Sequence, residues 1–281
     1  MENLIFSLNA TIPIFLMMLL GMLFRKLGWM DEVFAAKMNK FVFLVPLPVL
    51  LFEQLATVDF SEVWDIKFIL FCFVVTAISI TISTLISLLW KDRSIKGEFI
   101  QATYNIMAVV VLSVFKPGNN SFDKALVKKT LKGIATNPII IGIVVGFVWS
   151  ALKLPMPLIL HKTVSSIGAT ATPMGLMSMG ATFEMKKATS KMKPTLVAVF
   201  MKLVGFCVVF LPMAALLGFR NEEMIAILVM LGSATTVSCF VMARNMGHEG
   251  TLSSGVIMMT TLLSAFTLTM WLDVLRSFGL V

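Results

Sequence analysis

The 281-residue sequence predicts an all-α integral membrane protein built from two inverted repeats, and three observations carry that expectation. Of the chain, 58% is hydrophobic and only 14% charged, with a mean hydropathy of +0.94, a balance far from that of a soluble domain. Apolar runs close to the roughly 20 residues that cross a bilayer core recur between short charged stretches. The chain also matches itself, without gaps, at an offset of 125 residues.

The apolar runs are Ile5 to Phe24, Val33 to Ala56, Ile66 to Trp90, Phe99 to Phe115, Pro138 to Leu152, Val164 to Phe183, Leu196 to Phe219, Met224 to Met242 and Leu252 to Leu275. The first has acidic Glu2 before it and neither a basic flank nor an A-x-A cleavage site, so it reads as a span and not as a signal peptide. Lys and Arg mark cytoplasmic loops. Arg25, Lys26, Lys37 and Lys40 place the first loop inside; Asp59, Glu62 and Asp65 place the second outside, which puts the N-terminus outside an inner (cell) membrane. Lys91, Arg93 and Lys96 are inside, and so are Lys116, Lys124, Lys128, Lys129 and Lys132. Lys186 to Lys193 read as inside, and Arg220 with Glu222 and Glu223 as outside; Lys153 and Lys162 mark the least polarised outside loop.

Two consecutive inside loops break parity, so Phe99 to Phe115 is not a simple single span. Residues Asp123 to Ile134 place Val127, Leu131 and Ile134 on one helical face and lysines on the other, an amphipathic helix suited to the cytoplasmic surface. Asn137-Pro138 then ends that helix and starts the next span. The expected organisation is a first transmembrane repeat over 1–116, incomplete, an amphipathic linker over 117–136, and a second repeat over 137–281.

The offset of 125 pairs Ala10 with Ala135, Thr11 with Thr136, Pro13 with Pro138, Gly21 with Gly146, Pro48 with Pro173 and Glu98 with Glu223. If the second half begins after five spans, an odd number, its first helix starts on the opposite side and the repeats are inverted. Past Glu223 there are two full runs, but past Glu98 only one short run. Matching Tyr104 to Ser264 raises the offset to 160, so that about 35 residues are missing near Thr103.

Several chemistries find no support. The net charge of +8 sits in loop clusters rather than on a nucleic-acid-binding face. Cys72, Cys207 and Cys239 lie in apolar runs without metal or redox spacing. The two histidines, His161 and His248, fall one per loop, and no catalytic motif or phosphate-binding glycine loop appears, so no enzyme, catalytic residue, cofactor, metal site or ATP drive is expected. The 22 methionines suit helix packing better than metal transport.

The stretches LVPLPVLLFEQLA after Asn39-Lys40, YNIMAVVVLSVF, TNPIIIGIVVGFVW, ATPMGLMSMGATF and TTVSCFVMARNMG resemble, in order and over nearly the whole chain, bacterial members of the auxin efflux carrier family, which include malate and malonate permeases. The resemblance implies ten helices in two inverted five-helix repeats, with the fourth and ninth spans broken and crossing near mid-membrane. It implies a secondary transporter that moves small organic anions, carboxylates such as malate, malonate or auxin-like acids, by alternating access. A non-transporting scaffold or sensor, or a degenerate paralogue of the carriers, is the rival reading. The chain departs from the family pattern at Ala234, where a proline is usual, and in the residues missing near Thr103.

The candidate substrate-binding residues follow. Gly232, Ser233, Ala234, Thr235, Thr236 and Ser238 form a small, polar run inside an apolar span, where a helix can unwind toward an anion or, alternatively, pack closely on a neighbour. Asn105 is carried over from the family motif YNIMAVVV. Pro48 and Pro173 (with Pro46) sit deep in spans, where proline frees carbonyls and kinks the helix, with or without ligand contact. Glu53, Lys202 and Asp273 are ionisable groups in or near apolar runs, functional candidates unless they reach the interface. The expected partners are a small organic anion and membrane lipid, with a coupling proton or sodium ion and a homodimer as open alternatives; nucleic acid is not expected.

Overall fold

A computed structural model describes residues 2–58, 65–103, 111–112, 115 and 132–281, without the side chains of 2–8 and 10. All elements among the described residues are helical. Large apolar side chains such as Phe73 and Leu216 stand exposed, as helices solvated by lipid require.

Helix α1 spans Glu2–Lys26 and ends on two basic residues. Asp31 caps α2, Glu32–Leu44, by accepting from the Phe34 amide at 2.6 Å. Pro46 and Pro48 interrupt at Val45, because proline lacks the amide a helix needs and pushes the preceding residue out of the helical region. Val45 accordingly sits at φ −125°, ψ −71°, and α3 runs Pro46–Ala56. After Asp65, which caps Phe68, comes α4, Ile66–Ser87, whose buried Ser79, Ser83 and Ser87 recur every fourth position and make one smooth face. Helix α5, Arg93–Thr103, has 11 residues, about 16 Å of rise and roughly half a bilayer core. Its Thr103 hydroxyl donates to Ser83 on that face at 2.9 Å.

In the second half Asn137 caps α6, Pro138–Ala151, by accepting from the Ile139 amide at 2.9 Å, with Pro138 in the first turn as the sequence requires. Helices α7, Leu158–Ala169, and α8, Ala171–Thr182, are separated by Thr170. The helix therefore starts six residues before the expected Val164, because Pro157 opens it and the polar residues of its first turns face outward. His161 lies within α7, not in a loop. Short α9, Met185–Ser190, precedes α10, Met192–Phe200, a π turn at Met201–Gly205 and α11, Phe206–Leu216. Helices α12, Asn221–Gly232, and α13, Val237–Asn245, are followed by α14, Thr251–Ser277.

Among the described residues, Glu32–Ala56, Ile66–Ser87, Met192–Leu216 and Thr251–Ser277 are long and apolar enough to cross a membrane; α12 and α13 qualify as one span bent by 41°. Residues 59–64, most of Phe99 to Phe115, and the amphipathic segment up to residue 131 lie outside the described residues.

Side-chain contacts gather the loops at two ends. Arg25 donates to the Ala181 carbonyl, Lys191 pairs with Glu249, and Ser94 meets His248, which brings three of the loops read as cytoplasmic together with the loop holding His248 and Glu249. At the other end Lys67 donates to Leu217, Ser150 to Val58, and the Asn221 amide to Leu280. Breaks and contacts also repeat at the offset of 125: Val45 answers Thr170, and α1 packs on α8 as α6 packs on α3.

Candidate functional site

The span over 221–245 is chemically the least regular. Its Gly232-Ser-Ala-Thr-Thr run lacks large apolar side chains, and the helix opens there: Ser233 and Thr236 are extended, at ψ 159° and 151°. Gly232 packs closely on α11, where a Cβ on it would lie 2.9 Å from Cys207 Sγ. The N-cap residue of α13, Thr236, makes no capping hydrogen bond with its side chain, which meets Ser238 instead. The positive end of the α13 dipole faces the break, an arrangement that favours negative charge.

A cavity of about 240 Å³ opens beside this N-terminus. Thr236, Val237, Ser238 and Val241 form one wall; Leu47, Leu50, Leu51 and Gln54 of α3 form the second, and Ala171 and Thr172 of α8 the third. The Thr236 and Ser238 hydroxyls lie 2.7 Å apart and, with Gln54 and Thr172 on the facing walls, give this mostly apolar space its polar groups. Among the described residues the lining carries no charged side chain, and the N-terminus of α13 meets there the first turns of α8, at Ala171 and Thr172, and of α3, at Leu47.

The run expected to bind substrate thus divides. Thr236 and Ser238 line the cavity, whereas Gly232, Ser233, Ala234 and Thr235 do not. Thr235 is buried, its amide donating to Thr260 Oγ1 at 3.1 Å and its hydroxyl to the Ala102 carbonyl at 2.9 Å. Pro48 and Pro173 stand on the two walling helices, but neither lines the cavity; the Pro48 carbonyl instead faces Gly142, where a Cβ would lie 2.5 Å away. Asn105 lies outside the described residues. Glu53 faces away, its carboxylate 3.9 Å from His161 Nε2, and Asp273 is exposed.

Sequence reasoning missed Gln54 and Thr172, ordinary polar residues whose placement depends on α3 and α8 converging. It also missed the surroundings of Glu98, visible only as the repeat partner of Glu223. Glu98 is fully buried and accepts from the Gly250 and Ser253 amides, each at 3.0 Å, so it caps α14 from a neighbouring helix. His248 lies in a loop, as expected, but is buried, with Nδ1 3.3 Å from Ser94 and Nε2 3.0 Å from the Leu112 carbonyl.

A family profile described as membrane transport protein, the auxin efflux carrier domain, matches residues 6–117 and 95–272. The chain belongs to this family. Residues 95–117 are claimed by both matches, the stretch that contains Thr103. No curated protein matches the chain. As a membrane transport protein it has a small-molecule substrate, and its apolar helices make it a multi-pass membrane protein.

Proposed function

We propose that this membrane transport protein is built as a secondary carrier of small organic anions, with the substrate carboxylate held at the N-terminus of α13. The observation that carries this reading is the N-terminus of the second half of a broken span opening onto a cavity walled by α3 and α8. A volume of about 240 Å³ is below the roughly 300–1,000 Å³ of drug-sized sites and favours the smaller acids of the malonate and malate class. The binding groups would be the amides of Val237 and Ser238 and the hydroxyls of Thr236 and Ser238, with Gln54 and Thr172 opposite. Alternating access would move the group holding α3 and α8 past the broken span, opening the cavity to either side in turn. Membership of a transporter family supports a carrier rather than an enzyme.

The shared offset of breaks and contacts supports two repeats related by inversion, with the basic end cytoplasmic and the N-terminus outside. On this reading α5 is the first half of a broken span whose remainder is about 35 residues short in this chain. The doubly matched stretch 95–117 favours the same reading, and with it a second one, in which the chain keeps the scaffold of a carrier without turnover.

Uptake of radiolabelled malonate or malate into liposomes separates these readings. Uptake by the 281-residue protein supports the carrier and removes the missing segment from the account. Uptake only after a helical segment of about 35 residues is inserted after Thr103 supports both. Absence of uptake from either protein supports the scaffold.

A further inference from the structure

A helix that stops inside an apolar layer deprives the carbonyls of its last turn of their partners, and an unpaired carbonyl there is expensive. Helix α12 stops in this way at Gly232. The Ser233 amide still donates to the Val229 carbonyl at 3.1 Å. The next carbonyl, of Met230, would take the Ala234 amide in a continuous helix. It accepts instead from Lys202 Nζ at 3.2 Å. On the other side of the break the Thr235 amide, which a continuous helix would send to Leu231, donates to Thr260 Oγ1 of α14 at 3.1 Å.

Lys202 is an unusual residue for this duty. It lies inside the span Met192–Leu216, is 8% exposed, and belongs to the π turn at Met201–Gly205. π turns inside α-helices occur often at functional sites, and an ionisable side chain buried in a span is costly unless used. A snorkelling lysine would reach toward an interface; this one reaches the carbonyl next to the break. Its charge also complements the negative end of the α12 dipole.

We propose that Lys202 and Thr260 are positioning residues that hold the α12–α13 break open from neighbouring spans, each replacing a helical partner that the break removes. Without them the cheapest repair is to continue the helix through 233–236, which would withdraw the α13 N-terminus from the cavity. The inference deepens the carrier reading by giving the site its support, but its test requires no transport.

The test is amide hydrogen exchange of segment 233–238 in the detergent-purified protein. Lys202→Met keeps the side-chain bulk and removes the donor; closure of the helix is expected to slow exchange of this segment about tenfold, the effect of losing one buried partner. Lys202→Arg, which keeps a donor, is expected to retain native exchange. Unchanged exchange in Lys202→Met, or equal change in both variants, overturns the proposal. Should Lys202→Met fail to fold, Thr260→Val decides in the same way: slowing supports the proposal and native exchange contradicts it. Absence of anion uptake by both the 281-residue protein and its form with the inserted segment, together with slowed exchange in Lys202→Met, would sink the carrier reading and leave this inference standing.

Discussion

Gly21 meets the backbone of Met177 so closely that a Cβ on the glycine would lie 2.2 Å from the Met177 carbonyl oxygen. The same contact recurs between Gly146 and Phe52, where a Cβ would lie 2.7 Å from the oxygen. Gly146 follows Gly21 by 125 residues and Met177 follows Phe52 by 125, so the shift exchanges the two helix pairs. Lipid offers little hydrophobic drive between helices, so such close backbone packing carries much of their association. Gly21→Ala and Gly146→Ala should each lower stability by about 1–3 kcal/mol, the cost of overpacking. Gly133→Ala, where nothing lies within 4 Å, should be neutral in the same thermal unfolding experiment.

Glu98→Ala should be among the most damaging single changes, because it strips the Gly250 and Ser253 amides of their acceptor inside the protein. Buried donors left unpaired cost about 1–3 kcal/mol each. The matched substitution at Glu223, which is not buried, should cost under about 1 kcal/mol. Equal losses of thermal stability in the two variants would refute a capping role for Glu98.

The Lys191 ammonium, hydrogen-bonded to Glu249 and close to it, holds the Glu249 carboxyl below its ordinary value of 4.5. A depressed folded-state value means that this group stabilises the fold above the unfolded value and that its contribution disappears as pH falls through the folded one. Glu249 is 60% exposed, so solvent screening holds the contribution to about 0.2–1 kcal/mol. Glu249→Gln should therefore lower stability slightly at neutral pH and not at pH well below 4, where the two unfolding curves should converge. High salt should shrink the neutral-pH difference.

Sidedness can be read with a membrane-impermeant thiol reagent. A cysteine at exposed Lys186, at the basic end, should react only from the cytoplasm, and one at exposed Leu154 only from outside. The opposite pattern would invert the topology.

Much of this architecture was legible because lipid makes local sequence decisive. Pro46 had to break the second span, Asn137-Pro138 had to start the sixth helix, and Gly232 to Ser238 had too little apolar bulk to hold a helix against neighbours that offered better partners. The start of α7 at Leu158 was not legible, since outward polar residues in its first turns look like a loop. Nor was the division between Thr235 and Thr236. Adjacent threonines are equivalent in sequence, and only Thr260 and Ala102, brought close by α14 and α5, turn the first inward and leave the second on the cavity. Lys202 was visible as an intramembrane charge, but its target, the Met230 carbonyl, exists only because the break leaves that carbonyl open.

The most direct measurement of the central claim is malonate or malate binding to the purified protein, followed by anion-dependent thermal stabilisation. The wild-type chain should show a saturable upward shift in Tm. Thr236→Leu combined with Ser238→Leu should weaken apparent affinity by at least about tenfold, some 1.4 kcal/mol, with little change in unliganded Tm. Equal affinity in the two proteins, or no anion-dependent shift in the wild type, would contradict a carboxylate site at the N-terminus of α13.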